Sequence, residues 1–262
     1  MSTREEILSG FYGQYDEDGG LGRSRHGQLE FFTTMNYIRR CAKEGSKVLE
    51  IGAGTGRYSI ALAKEGYDVT AVELVESNLN VLRENGKGLS NLRSFKGDAL
   101  ELSMLRDGEF DLTLVFGPLY HLYEAEEVDR AIDEAIRVTK KGGVMIFAFL
   151  SIYAIMYSNY MFGNWAAGQE ENFTEDLQVR HFKEQLFTGY DIGEFERLFE
   201  GKQVKLLATA GTDGMLEPLE RREDFAFSDG DFEAFENWYL AVCEKRELLG
   251  ASSHLICVFR KN

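Results

Sequence analysis

The chain has 262 residues, of which 44% are hydrophobic and 28% charged, and it contains only 2 prolines. This composition excludes a globally disordered chain, and the length allows one large domain to bury a core without disulfide bonds. The formal net charge of −15 disfavours RNA and DNA as substrates, because nucleic-acid-binding proteins usually carry a basic face, and it favours a small molecule.

An N-terminal arm and a helix precede the first predicted strand. The segment from Tyr15 to Gly27 is rich in glycine and polar residues, which predicts a flexible loop. Apolar residues at helical spacing then predict a helix from Gln28 to Glu44, and Gly45 is expected to end it.

From residue 47 to residue 150 the chain alternates between strand and helix patterns. The predicted strands are Lys47–Gly52, Asp68–Glu73, Leu92–Lys96, Asp111–Phe116 and Val144–Leu150. The predicted helices are Thr55–Lys64, Val75–Glu84 and Glu124–Lys140. Strands that are apolar along their length, with helices between them, indicate a parallel sheet that helices cover on both faces.

The alternation stops after the fifth strand. Residues Ser151 to Tyr190 are rich in aromatic side chains without a clear period, which indicates an insertion that caps the sheet. An N-cap at Asp191 and an acid at Glu194 then predict a helix that reaches Glu200. The remaining predicted elements are the strand Val204–Ala210, the helix Asp231–Lys245 and the strand His254–Arg260.

A glycine-rich run, Gly52-Ala-Gly-Thr-Gly56, follows the first strand and opens a helix. This position places backbone N–H groups and the positive end of a helix at the carboxyl edge of the sheet, where α/β proteins bind nucleotides. A dinucleotide motif needs G-x-G-x-x-G, but its third glycine position is Arg57 here. The spacing therefore disfavours a dinucleotide-dependent oxidoreductase, which stays an alternative.

Three acidic residues lie near the predicted carboxyl ends of neighbouring strands. Glu50 precedes the glycine run, Glu73 ends the second strand and Asp98 follows the third. A carboxylate at the end of the second strand can accept both ribose hydroxyls of a nucleoside. Three carboxylates on one edge would repel a pyrophosphate, so they suit a cationic cofactor that carries a nucleoside.

Together these motifs resemble those of the class I S-adenosylmethionine (SAM)-dependent methyltransferases. Glu50–Gly56 looks like the family's motif I, Glu73 like its ribose-binding acid and Gly97–Ala99 like its adenine-contacting motif. The run Phe110–His121 looks like the family's motif IV strand and loop. The resemblance covers about residues 45–150. It implies an α/β Rossmann-like fold with seven strands in the order 3-2-1-4-5-7-6, the last one antiparallel.

The resemblance also implies which residues bind SAM and its product S-adenosylhomocysteine. Glu73 would hold the ribose hydroxyls, Asp98 would bond the adenine amino group and Ala99 would supply a backbone contact. Phe116 and Gly117 would border the sulfonium. The full implied set is Glu50, Gly52, Ala53, Gly54, Gly56, Glu73, Leu74, Asp98, Ala99, Phe116 and Gly117. Read alone, Glu73 also fits a surface acid at a strand end, and Asp98 also fits a Gly-Asp turn.

The loop after the fourth strand supplies candidate catalytic residues beside the expected cofactor sulfur. His121 titrates near neutral pH and could take a proton from an oxygen or nitrogen nucleophile. Tyr120 could orient the substrate. A structural loop histidine is the alternative, because proximity to an activated sulfonium can drive much of a methyl transfer. No Asn-Pro-Pro-Tyr-like sequence is present, which disfavours methylation of nucleic-acid amino groups.

Two further segments supply candidate lid and substrate residues. Tyr15, Arg25 and His26 could fold over the cofactor with the rest of the N-terminal arm, although a simple disordered arm fits the sequence as well. Among the aromatic residues of the cap, Tyr153, Tyr157 and Trp165 could form a substrate pocket. The alternative is that these aromatic side chains pack the cap onto the sheet.

The expected organisation has four parts. They are an N-terminal arm and helix that act as a cofactor lid (1–44), a SAM-binding core (45–150), a cap and substrate insertion (151–190) and a C-terminal part that completes the sheet (191–262). Three scattered cysteines give no disulfide framework or zinc site, so we expect no metal. The N-terminus has no apolar signal region and no stretch is long enough to span a membrane, so we expect a cytoplasmic protein.

The expected activity is transfer of the SAM methyl group to O, N or C of a small molecule. The alternatives are a non-catalytic SAM-binding regulator and a methyltransferase that acts on RNA or protein. No feature of the sequence indicates an oligomeric state.

Overall fold

Eight strands form a single sheet in the computed structural model, which describes residues 3–12, 22–182 and 185–262. The strands are β1 (Lys47–Ile51), β2 (Asp68–Glu73), β3 (Leu92–Lys96), β4 (Phe110–Val115), β5 (Thr139–Ser151), β6 (Gly189–Tyr190), β7 (Val204–Gly211) and β8 (His254–Lys261). Their order is β3-β2-β1-β4-β5-β8-β7, and β6 pairs with β5 off this path. Strand β8 is antiparallel to both of its neighbours, and the pairs among β1 to β5 are parallel.

This topology confirms the predicted α/β fold and the order of the predicted strands, with one strand more than expected. The additional strand β6 has two residues and pairs in parallel with Leu150 and Ser151 at the end of β5. Two residues are too short to produce a recognisable hydrophobic period, so the sequence pattern did not predict it. The pairing ties the end of the cap back to the sheet.

Helices lie along the chain between and around these strands. They are α1 (Arg4–Tyr12), α2 (Arg25–Cys41), α3 (Arg57–Lys64), α4 (Glu76–Asn85), α5 (Ala125–Val138), α6 (Ile152–Tyr160), α7 (Trp165–Asn172), α8 (Ile192–Arg197), α9 (Leu216–Glu220), α10 (Asp229–Val242) and α11 (Arg246–Leu249). A short 3-10 turn covers Pro118–His121. No helix in the described ranges combines the length and the apolar character needed to cross a membrane.

Helix α2 begins and ends earlier than predicted. Ser24 caps it, because its side chain accepts the N–H of Gly27 at 3.2 Å, and the helix therefore starts at Arg25. It ends at Cys41, and Gly45 lies in the turn before β1 with a φ of +80°. The helix start is set by a polar cap, which hydrophobic periodicity does not detect. The predicted start was therefore too late.

The two faces of the sheet bury separate hydrophobic cores, because successive side chains of a strand point to opposite faces. On β1, Leu49 and Ile51 belong to the core beneath α5 and α8, whereas Val48 belongs to the core beneath α2, α3 and α10. Phe149 stacks on Phe195 of α8 with ring centroids 4.0 Å apart. Burial of each such side chain contributes about 1.5–3 kcal/mol to the free energy of folding. The packing on both faces therefore stabilises the positions of the strand ends.

The predicted cap insertion contains the two helices α6 and α7. Gly168 of α7 packs directly against Tyr160 at the end of α6, where a Cβ would lie 2.4 Å from the tyrosine ring. After the cap, Asp191 and Glu194 form the predicted capping box at the start of α8. That helix ends at Arg197 rather than at Glu200, and the chain continues into a turn.

Candidate functional site

The glycine run makes a tight turn between β1 and α3 at the carboxyl edge of the sheet. Gly52 and Gly56 have φ values of +79° and +95°, which L side chains rarely adopt. A Cβ on Gly52 would lie 2.5 Å from Cδ of Pro118 and 2.6 Å from the carbonyl oxygen of Phe116. A Cβ on Gly56 would lie 2.8 Å from Cγ of Leu82. The glycines therefore allow the turn to lie against the loop after β4.

Glu73 faces this turn from the end of β2, with 6% of its surface exposed. Its Oε2 accepts the N–H of Gly54 at 2.8 Å, and its Oε1 accepts the N–H of Val75 at 2.8 Å. Burial raises the pKa of Glu73, while these backbone hydrogen bonds favour the charged form and limit the rise. Each carboxylate oxygen keeps acceptor capacity beyond one such bond, so a ligand hydroxyl can still donate to it.

Asp98 follows β3 and forms an ion pair with α1. Its Oδ1 accepts the N–H of Leu100 at 3.0 Å, and its Oδ2 is paired with the guanidinium of Arg4. The other terminal nitrogen of Arg4, Nη1, lies 4.0 Å from Glu127 and has no hydrogen-bond partner among the described residues. A buried donor without a partner is costly, which makes this nitrogen available to a ligand acceptor.

These groups line one cleft, the cofactor cleft, with an empty volume of about 640 Å³. The predicted site residues in its wall are Gly52, Gly54, Glu73, Leu74, Asp98, Ala99, Phe116, Gly117, Tyr120 and His121. Helix α1 contributes Arg4, Leu8 and Tyr12 to the same wall. The cleft thus lies at the ends of β1, β2 and β4 and beside the residues after β3, which is the position predicted from the sequence for a nucleoside site.

His121 is buried in this wall, and both of its ring nitrogens have partners. Nδ1 lies 2.7 Å from the carbonyl oxygen of Leu186, so it must be the protonated nitrogen, and Nε2 lies 3.0 Å from the hydroxyl of Tyr12. Burial lowers the pKa of His121 to about 4. A neutral imidazole therefore presents the Nε2 lone pair to the tyrosine hydroxyl at neutral pH.

The remaining predicted cofactor residues lie beside the cleft rather than in its wall. Gly56 begins α3, and Glu50 is 1% exposed with its carboxylate bonded to the hydroxyl of Ser59. Glu50 and Ala53 line a neighbouring space, the second cavity, of about 720 Å³. The second cavity shares Gly52, Gly54, Phe116 and Tyr120 with the cofactor cleft.

The predicted lid residues Arg25 and His26 do not line the cofactor cleft in the described part of the chain. Both lie in the first turn of α2, where Arg25 pairs with Asp229 and Nδ1 of His26 lies 2.6 Å from Glu220. The start of α2 is packed against α9 and α10, which explains the difference. Tyr15 lies outside the described residues.

The structure also does not bring the predicted aromatic pocket to the cleft. Tyr153, Tyr157 and Trp165 are 41%, 46% and 43% exposed, and none of the three lines the cofactor cleft. Tyr157 stacks on Trp165 at 6.4 Å, and the hydroxyl of Tyr153 donates to Asp191 at 3.0 Å. These residues lie on the exposed face of α6 and α7, because Ile152, Ala154 and Met156 form the buried face of α6.

Sequence reasoning missed several residues that line the cavities. The predicted lid segment (1–44) includes Arg4 and Leu8, but the sequence singles out neither residue, because the nine residues of α1 are too few to give a clear helix pattern. The second cavity also includes His254, whose partner Asp213 follows β7. These two residues are far apart in sequence and carry no motif, so only the pairing of β7 with β8 brings them together.

Comparisons with known proteins indicate the family of the chain. Residues 49–147 match the methyltransferase-domain family. The chain is 31% identical over 173 residues to a demethylmenaquinone methyltransferase of Staphylococcus aureus, covering 60% of this chain and 67% of that protein. It is 27% identical over 148 residues to the O-antigen chain terminator bifunctional methyltransferase/kinase WbdD of Escherichia coli, covering 53% of this chain but only 21% of that protein.

The fold comparison agrees with the strand order described above. The crystal structure of the N-methyltransferase NodS from Bradyrhizobium japonicum, in complex with S-adenosylhomocysteine, has a TM-score of 0.58. It is 16% identical, with 99% of each chain covered, so the similarity is one of fold. With the sequence match to a methyltransferase over two thirds of its length and the strand order described above, this chain belongs to the class I SAM-dependent methyltransferases, whose methyl donor is SAM.

Proposed function

We propose that the protein transfers the methyl group of SAM to an oxygen, nitrogen or carbon atom of a small molecule. The observation that carries this proposal is that one cleft contains both the nucleoside-binding carboxylates and the Tyr12–His121 pair. When bound, SAM supplies a methyl group activated by its sulfonium. The protein's own contribution is to hold the cofactor, position the acceptor and manage the acceptor's proton.

The residues of the cleft fit SAM. Glu73 offers acceptor oxygens for ribose hydroxyls, and Asp98 offers them for an adenine amino group. Nη1 of Arg4 offers a donor that matches an adenine ring nitrogen. We therefore assign SAM binding to the cleft residues Gly52, Gly54, Glu73, Leu74, Asp98, Ala99, Phe116 and Gly117.

The Tyr12–His121 pair suits an acceptor that loses a proton when it is methylated. A phenol oxygen can donate to Nε2 of His121 and accept from a substrate O–H or N–H at the same time. The proton then passes from the acceptor to Tyr12 as the tyrosine proton passes to Nε2. Because the pKa of His121 is about 4, the imidazole starts neutral and is a weak base, so this transfer accompanies methylation rather than preceding it.

A small acceptor is favoured because the reacting groups are enclosed. His121 is 6% exposed, and α1 covers the cleft through Arg4, Leu8 and Tyr12. A polymer chain would have to displace α1 to reach Nε2 of His121. The formal net charge of −15 adds long-range repulsion against a nucleic acid.

In this proposal α1 takes the role that the sequence analysis gave to residues 1–44 as a whole. Glu5 pairs with Lys96 at 2.7 Å, and Arg4 pairs with Asp98, so two ion pairs attach α1 beside the end of β3. Helix α2 instead completes the opposite face of the sheet. Among the described residues, we therefore assign the lid to α1.

The proposed function is tested with methyl-labelled SAM and three acceptor pools. The purified protein is incubated with a small-metabolite extract, with total tRNA and with a protein extract, and label is counted in each fraction. We expect label in the metabolite fraction. Label confined to RNA or to protein would contradict the small-molecule proposal.

A further inference from the structure

A buried carboxylate holds a histidine against the second cavity. Asp213 is fully buried, and its Oδ1 accepts the hydroxyl of Ser252 at 2.6 Å and the N–H of Ser253 at 2.9 Å. Its Oδ2 accepts Nδ1–H of His254 at 2.7 Å. The bonds to Oδ1 fix the carboxylate, and the bond from Nδ1–H to Oδ2 orients the imidazole ring.

The other nitrogen of His254 is open to a ligand. Nε2 lies on the side of the ring away from Nδ1, and no residue in the described ranges makes a hydrogen bond to it. The side chain is 27% exposed, and it lines both the second cavity and a larger space under the cap of about 1330 Å³, the cap cavity. By contrast, both nitrogens of His181 are bonded, to Thr188 at 2.6 Å and to Glu194 at 2.7 Å.

The electrostatic surroundings keep His254 protonated. Burial acts to lower the pKa of His254, but the charge of Asp213 and its hydrogen bond outweigh burial and raise the pKa to about 10, with smaller contributions from Glu30 and Glu217. Glu217 of α9 is paired with Arg221 at 2.7 Å, and Glu30 of α2 lies 3.9 Å from Arg57. Glu217 and Glu30 thus have cationic partners, and the third carboxylate nearby, Glu50 in the wall of the second cavity, accepts the hydroxyl of Ser59. Nε2–H of His254 therefore remains a charged donor at the second cavity.

Nε2 of His254 lies at a cavity that adjoins the cofactor cleft. The second cavity shares Gly52, Gly54, Phe116 and Tyr120 with the cofactor cleft. A molecule that fills the second cavity can therefore contact the wall that borders the expected cofactor sulfur and His254 at the same time. We propose that Nε2 of His254, oriented by Asp213, binds an anionic oxygen of the methyl acceptor: a carboxylate, a phosphate or a phenolate. Its role toward the acceptor rests on the proposed function.

A divalent metal is the competing occupant of this place. Asp213, Glu217 and His254 each offer one ligand atom within 4.8 Å of the others. However, both oxygens of Asp213 already accept hydrogen bonds, Glu217 is paired with Arg221, and the proton on Nδ1 occupies the nitrogen nearest to Asp213. A metal would have to displace these partners, so the contacts favour a hydrogen-bond donor.

The experiment follows the ring nitrogens of His254 by nitrogen-15 NMR in the intact protein saturated with S-adenosylhomocysteine. Near neutral pH, sodium acetate, inorganic phosphate and 4-nitrophenolate are titrated in turn, with ethylammonium as the cationic control and zinc chloride as the metal probe. We expect both nitrogens to show the chemical shifts of a protonated imidazolium. We also expect Nε2 to shift saturably with at least one anion but not with ethylammonium.

Calorimetry of variants completes the test. His254→Gln should weaken binding of the responding anion by about tenfold or more, the scale for losing a charged hydrogen bond, whereas His181→Gln should not. A neutral imidazole, no response to all three anions, or zinc binding that displaces the ring proton would overturn the proposal. Binding of S-adenosylhomocysteine to the wild type is measured first. If it does not bind, the proposed function is contradicted, whereas the anion titrations still test whether Nε2 of His254 binds an anion.

Discussion

The hydroxyl oxygen of Tyr12 lies 3.0 Å from Nε2 of His121, which joins the end of α1 to the turn after β4. The ring of Phe187 lies 4.9 Å from that of His121 and 5.5 Å from that of Phe11, so the contact is enclosed by aromatic side chains. Arg4 and Asp98 form a second contact at the other end of α1. The first helix thus spans the cofactor cleft from Asp98 to His121.

We expect Tyr12→Phe to lower kcat by about tenfold or more, because it removes the group that passes the acceptor's proton to His121. Affinity for S-adenosylhomocysteine should change by less than about threefold, since the ring and its packing are kept. The matched control is Tyr67→Phe, whose hydroxyl donates to the carbonyl oxygen of Ala42 at 3.5 Å and does not line the cleft. Steady-state kinetics and calorimetry give the two values. Equal kcat in Tyr12→Phe and the control would remove the proposed role.

Glu73→Gln should weaken S-adenosylhomocysteine binding by about tenfold, because the charged acceptor for the ribose hydroxyls is lost. Glu76→Gln is the control, since this acid lies on α4 beside Arg83 and Lys96 and does not line the cleft. Isothermal calorimetry of both variants measures the effect. Unchanged affinity in Glu73→Gln would mean that the ribose is held elsewhere.

The stability of the protein should fall in acid partly through His121. Unfolded His121 takes up a proton as the pH falls below its ordinary value of 6.5, whereas burial keeps the folded residue neutral until about pH 4. The unfolded state therefore binds more protons in this window, and the free energy of unfolding decreases as the pH falls through it. Urea denaturation between these two pH values should show a smaller slope for His121→Asn than for the wild type. Identical slopes for the variant and the wild type would mean that groups other than His121 cause the loss of stability in acid.

His254 should have the opposite effect on the alkaline side. Its pKa is raised from 6.5 to about 10, so the folded state holds a proton that the unfolded state has lost in this range. The stabilisation is complete below pH 6.5 and disappears as the pH rises toward 10. His254→Gln should therefore flatten the decline in the free energy of unfolding over this range, which urea denaturation at a series of pH values measures. A decline of equal slope in His254→Gln would contradict the assignment.

Trp165→Ser should leave cofactor affinity and the KM of the acceptor within about twofold of the wild type, as is usual for surface substitutions. Its ring stacks on Tyr157 at the outside of the cap and does not line the cofactor cleft. Steady-state kinetics and calorimetry measure both quantities. A large rise in KM would contradict this expectation and support the aromatic substrate pocket predicted from the sequence.

The elements that carry a period or a local motif could be predicted from the sequence. The strand Leu92–Lys96 has the predicted bounds, and the strand order follows from the resemblance of the core to a known family. The glycine turn and Glu73 lie together because the carboxyl ends of parallel strands meet at one edge of the sheet. Local chemistry was enough for these features.

The features that the sequence could not give depend on contacts between distant segments. Arg4 meets Asp98, and Asp213 meets His254, through packing that no spacing rule encodes. The outward position of the aromatic residues of the cap has a related cause. Aromatic side chains can pack against the protein or line a pocket, and composition alone does not distinguish the two. The hydrophobic periodicity of α6 is too weak to predict which side of the helix faces the protein.

The most direct test of the central claim is a crystal structure with S-adenosylhomocysteine bound. Our account predicts that the ribose hydroxyls donate to Glu73, that the adenine lies beside Asp98 and Ala99, and that the sulfur lies against Phe116 and Gly117. The space beside that sulfur should then be bordered by Tyr12 and His121. A product molecule bound outside this cleft, or a sulfur atom directed away from His121, would contradict it.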